Sequence, residues 1–362
     1  MRKKTDFAPF NVGVVHNPLP FKIAASLPKF ESVKISYPSR LNAMAIDPSM
    51  IARDGSMQYA PGEIIFKVGI YKQISIKLSK TSGEIIIDRG SKREPLIMHA
   101  ALIMKRALNF NVGLEINVEN SLELRHVGLG SSSGLIASVA VCINELFGKP
   151  LSDDVLLRYL AQNHGEEIDN NFHNLMPVQC IGGSAAAGLY GGAMIIIAGH
   201  NRVISSLELD QKYKAVIGIP EDFQEMDSKT LLEKEIKSFP KFMRCGKKYG
   251  PIIAYNILHK VLPAITEGKL GPAGELIYQY RFRMGSINNC SYHYKKLPFI
   301  AKRIEYLKTN NVADVLSLSS VGPAFFAITT KASECRSAFK KAGLNTLVVS
   351  LTNDKYKIIS KK

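Results

Sequence analysis

The sequence predicts an α+β protein built from two compact units. Strand-like alternation crowds into the first half of the chain, and helical periodicity dominates the second. A change of texture near residues 200–212 separates the halves, and 362 residues suit two domains of ordinary size. Hydrophobic residues make up 46% and charged residues 22%, with 27 Gly and 17 Pro, which excludes a disordered or collagenous chain.

Residues 1–30 show little periodicity and read as an extension. Residues 32–37 read as a strand ending at Pro38, followed by strand-like runs at 40–46, 63–69, 71–78 and, more weakly, 84–87. Residues 96–108 repeat with a helical period, and 112–118 alternate again. Residues 134–147 form a strongly apolar helix that stops at Gly148, with Pro150 beyond it. Ser152 caps a second helix over 153–164 and places acids in its first turn. The uncharged stretch 182–199 contains six glycines, so a membrane span is rejected in favour of a glycine-rich loop and a short buried strand over 193–198. Then come a strand at 214–219, helices at 229–237, 249–261, 272–284 and 297–310, a strand at 324–330, a helix at 332–342 and a strand at 345–350. The domain division is therefore 1–30, 31–205 and 206–362.

Lys and Arg total 47 against 31 Asp and Glu, a net charge of +16, which draws anions to the surface. The cations sit in short clusters such as Lys247-Lys248 and Lys340-Lys341, and no nucleic-acid module accompanies them. A small phosphorylated metabolite is thus the expected partner, with no membrane; a non-enzymatic nucleotide or nucleic-acid binder is the least favoured reading of the charge. Five dispersed cysteines without a CxxC pair argue against a disulfide framework or zinc knuckle and point to a reducing compartment. No signal peptide is readable, so a cytoplasmic location is expected.

The most informative run is His126-Val-Gly-Leu-Gly-Ser-Ser-Ser-Gly-Leu135, between a strand and the long apolar helix. Gly128 and Gly130 permit positive φ and close backbone approach, while Ser131, Ser132 and Ser133 bring donors to a helix N-terminus, where phosphate binds. No lysine follows at Walker A spacing. A serine-capped strand-to-helix turn has the same spacing.

This loop resembles the phosphate loop of the GHMP kinase superfamily, and four segments resemble its β-ribofuranosylaminobenzene 5′-phosphate synthase branch. These are Arg40-Leu-Asn-Ala-Met-Ala-Ile-Asp47 with Arg53-Asp-Gly55, then His126-Val-Gly-Leu-Gly-Ser131, then 182–192 with Gly199-His200, and finally Ser319-Ser-Val-Gly-Pro323. There are departures: Ser132, Ser133 and Gly134 are kinase-like, Ser317 replaces a usual Gly, and residues 166–180 look like an insertion. Many kinases of the superfamily place a catalytic Asp just before the Gly-Gly pair, but residues 184–190 contain no carboxylate.

The resemblance implies a two-domain GHMP-kinase-like fold, with a ribosomal-protein-S5-domain-2-like first domain and a ferredoxin-like second one, and a homodimer. It implies transfer of a phosphoribosyl group from phosphoribosyl diphosphate to an aromatic acid of the 4-aminobenzoate type, with loss of CO2 and diphosphate, in methanopterin-type cofactor synthesis. The alternative is an ATP-dependent kinase acting on a small-molecule hydroxyl. Mg²⁺ is expected for either activity, with ATP for the second, and no metal ligands are assigned.

On this reading the catalytic candidates are Asp47, to stabilise a developing cation, and Arg53, to hold a substrate anion; a turn residue before Pro48 and a solvated loop charge are the plainer alternatives. Gly128, Leu129, Gly130, Ser131, Ser132 and Ser133 bind phosphate, with Ser319, Ser320 and Gly322 as a second loop against it. Arg40, Asn42, His126 and Ser184 are expected at the substrate. Glu166, Glu167 and Asp169 are possible metal contributors, with a solvated acidic loop the simpler reading.

Overall fold

The computed structural model describes residues 8–52, 61–81, 83–120, 124–178 and 180–362. Its first sheet is organised by two long strands, β2 (Ser32–Ala45) and β3 (Glu63–Ser79), after a short β1 (Phe10–Asn11). Each runs through a break the sequence suggested. Pro38 does not end β2, because the pairing with β3 shifts register between Pro38 and Ser39, where a missing N–H costs no ladder bond. β4 (Ile85–Ile87) lies parallel to β5 (Gly113–Asn120), which pairs with β3.

Helix α1 (Glu94–Leu108) packs on α2 (Ser131–Leu146), and both cover the sheet through a core that includes Ile97, Met104, Leu135 and Val139. α2 begins three residues earlier than its apolar run, so the serines form its first turn. Ser152 caps α3 (Asp153–Gln162), its hydroxyl accepting from the Val155 N–H.

Residues 165–177 are not a solvated acidic loop. They form a hairpin, β6 (Gly165–Ile168) and β7 (Asn171–Pro177), extended by β1 of the amino-terminal segment. That segment is strapped down: the Gly13 N–H donates to His99 Nδ1 (3.0 Å), and Asn163 Oδ1 accepts from the His16 and Asn17 N–H groups. Burial pushes His99 down to about 4, so it stays neutral and accepts.

The glycine-rich stretch folds as a helix, α4 (Gly183–Leu189), rather than a loop. Helix propensity loses to packing here. A Cβ on Gly188 would lie 2.1 Å from the Tyr37 ring, so only glycine lets α4 seat on β2. β8 (Met194–Ala198) and β9 (Arg202–Leu207) complete this side, with β8 pairing to the start of β3.

The second sheet has the order β11 (Val315–Leu318), β12 (Phe325–Thr329), β10 (Lys214–Pro220), β13 (Leu344–Ser350), all antiparallel, the strand order of a ferredoxin-like sheet. The two helices expected at 229–237 and 249–261 are one, α5 (Ser228–Asn256), passing through Pro240 and Pro251. Its buried face, including Leu232, Phe242, Cys245 and Ile253, offsets the roughly 3 kcal/mol a buried-helix proline costs. The final strand β14 (Lys357–Lys361) crosses back and pairs with β2, so the chain's end is built into the first sheet.

Gly188→Ala should therefore lower unfolding free energy by about 1–3 kcal/mol, as overpacking against a rigid ring does. Urea denaturation checks this, and an unchanged midpoint would remove the α4–β2 constraint.

Candidate active site

The loop from His126 to Gly130 leaves the sheet edge and turns into α2 with three left-handed residues, His126 (φ 52°), Gly128 (φ 88°) and Gly130 (φ 65°). The two glycines are sterically required. A Cβ on Gly128 would come 2.3 Å from the Ser319 carbonyl oxygen, and one on Gly130 would come 2.5 Å from Ser184 Oγ and 2.9 Å from the Arg40 guanidinium. The backbone is thus pressed against a second loop and a cation, leaving the N-terminal end of α2 facing a cavity of about 200 Å³.

Most of the residues singled out from the sequence converge on that cavity: Arg40, Asn42, His126, Gly128, Leu129, Gly130, Ser131, Ser132, Ser133, Ser184, Ser320 and Gly322 all line it. Ser319 stands behind them. Its Oγ donates to the Gly128 carbonyl (2.7 Å) and accepts from the Asn42 N–H (3.1 Å), locking the loops together. Arg40 Nη1 also donates to the Gly128 carbonyl (3.0 Å), while its buried Nε has no hydrogen-bond partner. Ser133 and Ser184 hydroxyls bond each other at 2.7 Å.

Asp47 is not among the cavity's lining residues; its Oδ1 accepts from the N–H and hydroxyl of Ser49 and caps the short 3₁₀ turn Pro48–Ala52. Arg53 lies outside the described residues. The acidic stretch also divides in an unforeseen way. Asp169 pairs with Arg125 (2.8 Å), and Glu167 is buried against Arg93, whereas Glu166 faces the cavity.

Several functional side chains carried no local sequence signal. Arg93 Nη2 donates to Ser132 Oγ (2.6 Å), Nη1 donates to Ser131 Oγ, and Nε donates to Glu167 (2.7 Å). Lys72 lies buried beneath α2, its Nζ 3.2 Å from where a Gly134 Cβ would stand and donating to Ser39 Oγ (3.1 Å). Burial, then the charges of Arg93 and Arg40, pushes Lys72 down to about 8. Three cations thus back the N-terminal end of α2, whose N–H groups and dipole already favour negative charge.

Three carboxylates face the same space. Glu63 is pushed up by burial, against the lowering effect of Arg40, and accepts from the Gly183 N–H (2.7 Å) and the Asn42 amide. Burial opposes ionisation of Glu166 too, but the His164 hydrogen bond and the charges of His164, His126 and Arg93 hold it down to about 2. About a fifth of the Glu166 side chain is exposed, yet its Oε2 is buried and unpartnered. Glu235 lines both this cavity and an adjoining one of about 120 Å³ walled by Leu232, Phe239, Phe242, Tyr280 and Arg281. Burial pushes Glu235 up to about 7; the Tyr292 hydroxyl is close enough to lower it slightly but not in hydrogen-bonding geometry.

Mg²⁺ fits this donor set. An ionised Glu166 with an unused oxygen and the Ser131–Ser133 hydroxyls are the hard oxygen ligands the ion takes. No group of three or more His, Cys, Asp or Glu among the described residues forms an all-protein cage.

The architecture is that of the GHMP kinases. Residues 95–192, which include α1, the loop and α4, match the family model for the GHMP kinases N terminal domain. Homoserine kinase from Cytophaga hutchinsonii superposes with a TM-score of 0.59 at 16% identity, covering 92% of this chain and 99% of that one. L. major mevalonate kinase in complex with R-mevalonate gives 0.58 at 14%, covering 91% and 99%. Lactococcus lactis galactokinase complexed with galactose gives 0.63 at 13%, covering 90% and 95%. At such identities the likeness establishes the fold. No curated protein matches the sequence, and no helix among the described residues is long and apolar enough to cross a membrane.

Gly130→Asp puts bulk against Ser184 and Arg40 and a negative charge where phosphate would sit. Titration calorimetry should show loss of at least tenfold in affinity for ATP; unchanged affinity would refute the loop assignment.

Proposed function

We propose that the protein is an ATP-dependent kinase that phosphorylates a hydroxyl group of a small molecule. The observation that carries this reading is the polar cavity at the N-terminal end of α2, where glycine-shaped backbone, the cations Arg40, Lys72 and Arg93 and an unpartnered Glu166 oxygen meet. The structures that share the fold include kinases of homoserine, mevalonate and galactose.

The β- and γ-phosphates of ATP lie against the N–H groups of residues 130–133, with the free Arg40 Nε in reach and Lys72 adding positive potential from below. Mg²⁺, held by Glu166 and the loop hydroxyls, would neutralise phosphate charge when bound. The acceptor enters the adjoining apolar cavity, and its hydroxyl reaches the shared boundary at Glu235. As the hydroxyl oxygen bonds to the γ-phosphorus, the bond to the ADP oxygen breaks and its electrons leave with ADP. The hydroxyl proton passes to the Glu235 carboxylate, which takes the role that a carboxylate in 184–190 would otherwise fill. Neutral His293, pushed down to about 4 by burial, lines the first cavity without adding charge.

A second reading, phosphoribosyl transfer with loss of CO2 and diphosphate, keeps the same loop for the diphosphate. The four motif segments from residue 40 to 323 and the missing carboxylate in 184–190 favour it.

ADP release measured across a panel of sugars, amino alcohols and hydroxy acids tests the kinase. CO2 release from 4-aminobenzoate with phosphoribosyl diphosphate, and no ADP from any acceptor, would replace it with the second reading. If Glu235 accepts the proton, it must be ionised, so kcat/KM should fall as pH drops through about 7. In Glu235→Gln that acid limb should vanish and kcat should drop about 10²–10⁴-fold. An unaltered pH profile would remove Glu235 from the reaction.

A further inference from the structure

The cleft uses three of the 47 Lys and Arg residues, and α5 shows where part of the remaining positive charge collects. Lys234, Lys237, Lys241, Arg244 and Lys248 are all exposed and follow one another at intervals of three, four, three and four residues. That spacing sets them within about 40° of one line along about 21 Å of helix. No carboxylate among the described residues pairs with any of the five, whereas some cations elsewhere are matched, as in Lys77–Glu115, Lys149–Asp153 and Lys296–Asp222. Of the acids on this stretch of α5, Glu235 turns into the cleft and Glu233 stands at the edge of the file, unpaired.

Lys241, Arg244 and Lys248 also wall an open surface cavity of about 370 Å³ with the amides of Asn288 and Asn289. The Lys248 ammonium lies 5.0 Å from the Tyr249 ring centre. Past Lys248 the same line continues over Ile252 and Tyr255, which is 55% exposed and packs 4.6 Å from His259.

Five unneutralised like charges in single file repel one another, a cost that a linear polyanion removes. We propose that this face of α5 binds single-stranded nucleic acid, its phosphates running along the five cations and a base stacking on Tyr255. A membrane-lying helix carries its cations on the flanks of an apolar face. Here they run down the middle of the exposed face with Tyr255 beyond their end, a track for a phosphate backbone and one ring for a base, the two kinds of contact that single-strand binders combine. Sequence inspection passes over the file because the cations are interleaved with apolar, neutral and acidic residues, so only the Lys247-Lys248 pair stands out.

Fluorescence anisotropy with a labelled oligouridylate of about 15 nucleotides tests the proposal across a KCl series from about 50 to 300 mM. Five phosphate contacts predict a slope of log Kobs against log salt near −3.5, at about −0.7 per contact for a single strand. The variant Lys237→Glu/Lys241→Glu/Arg244→Glu should lose at least tenfold in affinity and flatten the slope, with ATP affinity unchanged as the check on its fold. Gly130→Asp should bind the oligonucleotide as the wild type does, separating this face from the phosphate loop. No binding at 50 mM salt, a slope shallower than −1, or full affinity in the triple variant would overturn it. So would sedimentation with phosphatidylserine vesicles, lost in the triple variant, when the oligonucleotide does not bind.

Discussion

The contact on which the site depends is the wedge of Gly128 and Gly130 between the Ser319 carbonyl, the Ser184 hydroxyl and the Arg40 guanidinium. It joins three distant parts of the chain, since β2 supplies Arg40, α4 supplies Ser184 and the turn after β11 supplies Ser319. Any side chain at either glycine would force them apart. The same wedge aims the first N–H groups of α2 into open space instead of against protein, so an anion can complete what the fold leaves unpaired.

Buried charge follows from that geometry. Arg40, Lys72 and Arg93 converge on the helix end, with Glu63 acting on Arg40 and Glu167 paired to Arg93, while Lys72 is buried without a carboxylate of its own. Burial drives Lys72 towards neutrality and Glu63 towards protonation, which marks a region where ionised groups lack partners. A bound phosphate supplies the missing negative charge, and Glu166 with its unused oxygen supplies the counterpart for a cation. The amino-terminal strap and the β6–β7 hairpin serve this arrangement by fixing the backbone that carries Glu166 and Glu167.

The sequence makes legible what depends on neighbours a few residues away. Alternation marks β5, an apolar run closed by Pro220 marks β10, periodicity marks α1 and α2, and Gly-x-Gly-Ser-Ser-Ser marks the loop. It fails where a distant contact overrules local preference. Glycine count argues for a loop at 183–189, yet Gly183 and Gly188 are required by the closeness of Glu63 and Tyr37, and α4 results. Asp47 has the chemistry of a catalytic carboxylate but is occupied by its own turn. Arg93, Lys72 and Glu235 sit on ordinary-looking strand and helix positions, and only the tertiary fold brings them to one cavity. The strand β14 returns from the far end of the chain to an edge that no local pattern announces.

The most direct test of the central claim is a crystal structure with Mg²⁺ and a non-hydrolysable ATP analogue. The account predicts phosphate oxygens on the N–H groups of residues 130–133, Arg40 Nε turned to one of them, and the ion on Glu166. Phosphates bound elsewhere, with Arg40 Nε and Glu166 Oε2 still unpartnered, would contradict it.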